Sequence, residues 1–522
     1  MGIDTAREIS TREKALTNVR RQLILGLDGQ AHGNRPTPLG ILVAVAVTIV
    51  SVLGAFTAFE VSALWLLVGL SISICLTPFL LHSDEPRLFS PYYLTLGYLV
   101  LSYPIKFIAN ESGMEYVGED YPGLFTNERL MTGVFAIFLA GVVAYIAGYR
   151  YPPRKSFEWL TSLRIPFFGL PTNSWPWRAM VVAAIGWGTV VLQIAIGTWG
   201  SFAGLGENWS ANTNQLFSYL FLYVWFAYIA ALLWLFSKNR AQSLIGFVIC
   251  GLIIAVTFFA SVTMLGSKTW LVYPIYWLLM AAYMTGRRPP IWMTLLILSV
   301  AIAFTFAFMA SYRLIYLEEY GANPITDSSI FDVSKGALRE GEMETASGLA
   351  QSAGMLLTRL GGVDNAAQVV SLFPSRYDYE YFYDVLLIPL SAIPRVIFPN
   401  KPQPQTPAFY SIEVAGMTSG GSAAPHPLAE GYINFGVPGV IVLFWVWGVI
   451  QALLYRGFYL PRRDNLIAGT LYGFYMLQFV GFGGWITGLL SGLLGQIIVL
   501  IPMMLILDNA KVGVRFAPSE TR

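Results

Sequence analysis

Charge is what this sequence has least of. Of 522 residues only 12% are Asp, Glu, Lys or Arg, while 55% are apolar and 15% aromatic. Soluble domains run near a quarter charged, so about half of the usual solvating surface is missing. That excludes a soluble globular enzyme, and a mean hydropathy of +0.59 excludes a disordered chain. Histidine is nearly as scarce. His32, His82 and His426 are the complete set, which excludes a multi-histidine metal centre. The two cysteines, Cys75 and Cys250, lie in apolar stretches and build no disulfide framework; they read as buried thiols. No Walker motif and no dinucleotide glycine fingerprint is present, so no cofactor or metal and no nucleic-acid partner is expected. What remains is a polytopic membrane protein.

A helix needs about 20 apolar residues to cross the ~30 Å hydrocarbon core. Twelve runs qualify, at 38–59, 61–81, 91–108, 131–149, 179–197, 216–236, 244–263, 269–285, 291–311, 436–455, 466–484 and 487–507. Nine of them fill 38–311 and three fill 436–507. The last two merge into a stretch without formal charge, which predicts a hairpin turning in the Gly-rich segment Gly481–Gly492. The first 37 residues are polar and hold six basic side chains. That is not the pattern of a cleavable signal peptide and predicts that the first span is retained as an anchor. With the N-terminus inside, 22 of the 32 basic residues fall on the inner face and 20 of the 30 acidic residues on the outer. The basic bias predicts an all-α protein of about twelve spans with both termini, 1–37 and 508–522, cytoplasmic.

One loop is long. Residues 312–435 lie on the outer face between spans nine and ten, with 7 basic and 13 acidic side chains. Met343–Leu360 has helical periodicity, and Val385–Ile393 is apolar but too short to span, which predicts an interfacial or re-entrant helix. Pro394, Pro399, Pro402, Pro404 and Pro407 predict an extended rigid segment. Such a folded loop suits chemistry or binding at the outer surface, or a lid or assembly surface.

Its cations are Arg313, Arg359, Arg376, Arg395 and Lys401 among others. Arg395 and Lys401 stand six residues apart on the proline-stiffened run, where they either clamp a diphosphate or anchor in lipid headgroups. His426 and Glu430 follow, four residues apart, and would share a face if helical. Either is a candidate general base; the alternative is a Glu430 stabilised by the dipole of its own helix. Lys268, in the turn Gly266-Ser267-Lys268, and Arg313 stand at span ends, where charge is costly unless paired or hydrated. Lys106 in span three reads as a snorkelling side chain.

Three segments resemble the bacterial oligosaccharide repeat-unit polymerases, the Wzy-type O-antigen and exopolysaccharide polymerases. They are the Ile-Pro-Arg…Phe-Pro…Lys-Pro run (Ile393–Pro402), the Ala-Glu-Gly-Tyr…Asn-Phe-Gly segment (Ala429–Gly436) and the Gly-Ser-Lys turn. The topology, many spans and one large late outer loop, is similar too. The resemblance implies a GT-C-like integral-membrane glycosyltransferase of the inner membrane. Its donor and acceptor would be undecaprenyl-diphosphate-linked glycans, the growing chain moving onto a second repeat unit with release of undecaprenyl diphosphate. Membrane lipids and a chain-length regulator are the further partners it implies. On this reading Arg395, Arg359, Arg313 and Lys401 meet the diphosphate and Glu430 or His426 the acceptor hydroxyl. Arg376 with Tyr377–Tyr383 would meet sugar, helped by Asp378, Glu380 and Asp384, and Tyr432, Asn434 and Lys268 would also contact substrate. Lys268 departs from the Arg more often found in that turn, so it offers a point charge in place of a bidentate fork.

The rival readings are an O-antigen ligase, close in chemistry, and a lipid-linked oligosaccharide flippase. A flippase explains the spans but not the long loop with its two proline-fixed cations. An oligosaccharyltransferase would need acidic metal-binding pairs in the first outer loop, where Glu60 stands nearly alone.

Overall fold

The structure is a computed structural model. It describes residues 63–81, 90–111, 127–162, 174–195, 211–237, 243–263, 268–285, 361–391, 409–414, 425–462, 465–480 and 486–507, with isolated positions between 290 and 402. Every regular element among them is helical, the all-α class read from the sequence. The first apolar run (38–59), most of the ninth, Met343–Leu360 and most of the proline-rich run lie outside the described residues.

In chain order the helices are α1 (Ala63–Leu81), α2 (Pro91–Val100), α3 (Lys106–Glu111), α4 (Glu128–Arg150), α5 (Arg154–Ser162), α6 (Trp175–Ala195), α7 (Ala211–Phe236), α8 (Leu244–Thr263) and α9 (Lys268–Met284). After them come α10 (Gly362–Leu372), α11 (Tyr383–Ser391), α12 (Pro427–Ala452), α13 (Leu466–Val480) and α14 (Ile486–Leu507). Local chemistry sets several boundaries. Pro104, which lacks an N–H, sits in the wide π turn Leu101–Ile105 joining α2 to α3. Asn127 caps α4 by accepting the Leu130 amide at 3.1 Å, and Arg150 closes its last turn. Asn465 caps α13, accepting from Ile467 and Ala468 at 2.9 and 3.0 Å.

The core is built round α7, which is apolar on all sides and buried from Tyr223 to Trp234. Trp225, Trp277 and Phe474 tie it to α9 and α13 through ring contacts. On the periphery, α6 and α8 turn Val181, Val191, Leu244, Val248 and Phe259 outward. An exposed apolar surface of this kind marks a side that faces lipid or another protein. Helices α4 and α12 touch backbone to backbone. A Cβ added at Gly148 would collide with the Trp445 carbonyl, and one at Gly448 with the Tyr145 carbonyl. Small residues at a crossing are the device by which apolar helices pack where no hydrophobic force separates helix from lipid.

Among the described residues three helices are long and apolar enough to cross a membrane: Glu128–Arg150, Trp175–Gln193 and Pro427–Arg462. The bent pair Ile486–Leu494 and Val499–Leu507, meeting at 60°, makes up to four. Ala63–Pro78, Leu220–Phe236, Leu244–Phe259 and Leu466–Val480 are apolar but shorter.

Two expectations are corrected. The Gly-rich stretch Gly481–Gly492 does not turn over its whole length: Gly488 and Gly492 are helical within α14, and 481–485 lie outside the described residues. Lys106 does not snorkel. It is buried and paired with Asp364 of α10 at 3.4 Å, and Asn110 donates to the same carboxylate at 3.1 Å. The pair pins α10 to α3.

Candidate functional site

The site begins with a fold-back. Within α12 the backbone leaves helical geometry at Phe435 and Gly436, and Gly436 adopts φ +63°. Residues 427–434 therefore form a short arm that returns against the longer arm from Val437. A Cβ at Gly431 would lie 2.7 Å from the Val440 Cα. Residues this far apart along an unbroken helix would be separated by more than ~12 Å. Only glycine lets the arms approach so closely, and only glycine takes the positive φ at the apex without cost. A side chain at Gly436 would also meet the Tyr379 hydroxyl at 2.9 Å. The segment Ala429–Gly436 is thus a structural hairpin as much as a set of polar groups.

The short arm carries Glu430, fully buried. Its carboxylate reaches across to the first turn of α14. One oxygen accepts the Ile486 amide at 2.7 Å, and the other accepts the Thr487 amide at 2.8 Å and a short hydrogen bond from the Thr487 hydroxyl. Glu430 stands in the first turn of its own helix, and its carboxylate also satisfies the N-terminal amides of α14. Both oxygens are occupied. Asn434 donates to the Glu430 carbonyl at 2.8 Å, while its own Oδ1 is buried with no partner among the described residues. Asp384, at the start of α11, is also buried and lies within electrostatic range of Glu430.

The last described turn of α13 also meets α12. The Phe479 carbonyl accepts from the Trp447 indole at 2.6 Å and from the Gln451 amide at 2.5 Å. Gln451 in turn accepts from Tyr145 at 2.6 Å and exchanges hydrogen bonds with Thr95. α12 therefore bonds the backbone of both neighbouring helices, the Ile486 and Thr487 amides through Glu430 and the Phe479 carbonyl through Trp447 and Gln451. Buried backbone groups must find such partners.

His426 does not share a helical face with Glu430. It is the N-cap residue of α12, with extended backbone, and it turns toward α2. Its Nδ1 lies 2.5 Å from the Tyr98 hydroxyl, and the two rings are nearly parallel at 8° with centroids 6.1 Å apart. Its Nε2 has no hydrogen-bond partner among the described residues. Burial pushes the imidazole down to about 4, so it is neutral near pH 7.

The segment before α11 lies on the hairpin apex. Glu380 and Tyr381 donate their amides to the carbonyls of Ile433 and Asn434 at 3.0 and 2.9 Å. Tyr432 packs edge-on against Tyr379, with centroids 6.1 Å apart. Arg376 is exposed, its guanidinium 5.3 Å from the centre of the Tyr377 ring. Lys268 opens α9, but its side chain, like Arg313, Arg359, Arg395 and Lys401, lies outside the described residues. Among the described residues no group of three His, Cys, Asp or Glu is placed to hold a metal ion.

Residues 191–477, more than half of the chain, match the family described as Domain of unknown function (DUF8712). The chain belongs to this family. The matched stretch contains the hairpin, His426, Glu430 and the aromatic segment 377–383. Tyr98 and Thr487, which hold His426 and Glu430, lie outside it. No curated protein and no solved structure matches the chain.

Tyr98, Ile486 and Thr487 carry no mark in the sequence. Tyr98 is one of four tyrosines in its apolar run, and the other two act largely through backbone amides, so neither motif nor spacing singles them out.

Proposed function

We propose that this protein polymerises undecaprenyl-diphosphate-linked oligosaccharide repeat units at the periplasmic face of the bacterial inner membrane. It does so as a GT-C-like glycosyltransferase of about twelve spans with both termini cytoplasmic. One observation carries the reading. A buried histidine, bonded through Nδ1 to Tyr98 and with no partner for Nε2 among the described residues, stands at the head of an apolar helix whose folded-back apex bears a segment rich in tyrosine and carboxylates.

In this reading the acceptor hydroxyl attacks the anomeric carbon of the donor. The bond to the diphosphate breaks, and undecaprenyl diphosphate leaves. Arg395, with Arg313, Arg359 and Lys401, stabilises the charge that develops on the leaving group, which is the largest stabilisation open to such a transfer. The donor is already activated, which fits a sequence without nucleotide motifs. The hydroxyl proton passes to His426 Nε2, since neutral imidazole can accept it. Glu430 has both oxygens engaged on α14 and acts by position. Lys268, Tyr432 and Asn434 contribute to substrate binding.

The test is turnover. The purified chain in lipid nanodiscs, given synthetic undecaprenyl-diphosphate-linked repeat units, yields a ladder of longer glycans and one undecaprenyl diphosphate per bond formed. Substrate returned intact, with no ladder, overturns the reading.

A further inference from the structure

Beside the hairpin apex the backbone is strained in a way the groups described so far do not require. Tyr381 and Phe382 are consecutive non-glycine residues with positive φ, 49° and 61°. Each such residue costs roughly 1–3 kcal/mol and persists only where its surroundings over-determine it. Here they do: the Glu380 and Tyr381 amides are held by Ile433 and Asn434, and the Tyr383 amide by the Glu380 carbonyl at 3.0 Å. The outcome is a set of rings turned outward. Tyr381 is 62% exposed, Tyr383 46% and Phe435 45%. Tyr381 meets Phe435 edge to face at 5.8 Å, and Phe382 stacks on Phe435 at 6.3 Å. Tyr379 backs the group, contacting Tyr381 at 6.4 Å and Tyr432 at 6.1 Å.

We propose that Tyr381, Tyr383 and Phe435 form a stacking platform for the pyranose rings of a neutral glycan. Aromatic faces offer the C–H side of a sugar a large contact at low entropic cost, and strain that fixes the rings in advance lowers that cost further. The surrounding charges choose among occupants. Residues 376–380 hold two accessible acids, Asp378 and Glu380, against one cation, Arg376, while Asp384 is buried beneath them. Carboxylates accept pairs of sugar hydroxyls but repel anionic headgroups and uronic acids. An aromatic anchor in the headgroup layer would want the opposite charge and would need no strained backbone.

The inference deepens the polymerase reading and rests on it only for the identity of the glycan as a repeat unit. The probe is the oligosaccharide repeat released by mild acid from the surface polysaccharide of the strain that carries this protein. Binding to the full chain in nanodiscs is followed by saturation transfer from aromatic protons to sugar C–H groups. Tyr381→Gly removes the ring while easing the positive φ, so it keeps the fold; it is expected to weaken binding roughly tenfold or more. Tyr381→Phe keeps the ring and is expected to keep binding. Equal binding by Tyr381→Gly, or no binding by the wild type, overturns the proposal. So does a Tyr381→Trp fluorophore quenched by brominated lipid in phosphatidylethanolamine–phosphatidylglycerol vesicles, which places the ring in the bilayer. Saccharide binding without turnover would overturn the polymerase reading and leave the platform standing; turnover whose KM is untouched by Tyr381→Gly would do the reverse.

Discussion

Glu430 and Thr487 are joined twice, through the Thr487 amide at 2.8 Å and through its hydroxyl. With the Ile486 amide on the other oxygen, the bonds make Glu430 the keystone between the hairpin of α12 and the start of α14. Glu430→Gln puts an amide N–H₂ against a backbone donor. Leaving such buried groups unsatisfied costs about 1–3 kcal/mol. A clear fall in the thermal midpoint in detergent is expected for Glu430→Gln, with a smaller one for Thr487→Val. An unchanged midpoint for Glu430→Gln would show that the carboxylate is free for other work.

Gly436→Ala meets two obstacles, a positive φ and the Tyr379 hydroxyl 2.9 Å away. The left-handed conformation alone costs an L-residue about 1–2 kcal/mol. Gly439→Ala forces the arms apart, because the added methyl falls on the Gly431 carbonyl. Both variants should be recovered in lower yield with a lower melting temperature, whereas Gly188→Ala, with open space around it, should match the wild type.

His426 links stability to acidity. Its imidazole falls from the ordinary 6.5 to about 4 on folding, so the unfolded chain binds the extra proton between those values. Stability is complete above about pH 6.5 and declines as pH falls toward about 4, by up to about 3 kcal/mol. His426→Asn should flatten that slope in melting curves taken at pH 7 and pH 5. A slope that survives the substitution assigns the effect to another group.

Arg395→Ala should abolish high-molecular-weight polymer while lipid-linked single repeats accumulate and the protein level holds. Immunoblots of the polymer and of the chain read both quantities. Long chains made by the variant remove Arg395 from the diphosphate.

Much of the helix pattern was legible because apolar runs are long and interrupted by charge: α1, α4, α8 and α14 lie over runs read from the sequence alone. Cys75 and Cys250 are buried free thiols, as their apolar neighbours implied. The candidate site was legible in composition but not in arrangement. The spacing of His426 and Glu430 suggested one shared face, yet Pro427 starts the helix after the histidine and sends the two side chains to different partners. Lys106 looked like an interfacial side chain because its partner, Asp364, is 258 residues away in sequence. Pairings of that range leave no local signal. Gly431, Gly436 and Gly439 did leave one, but a glycine in an apolar run reads equally as a helix contact or a fold-back until its neighbour across the gap is known.

A gel of surface polysaccharide from a strain lacking this chain bears on the polymerase role without any intermediate step. Loss of a polymerase collapses the ladder to core capped with single repeats, and restoring the wild-type chain brings the ladder back; that is the expected pattern. Uncapped core alone would make the protein a ligase, and an unaltered ladder would rule out both roles.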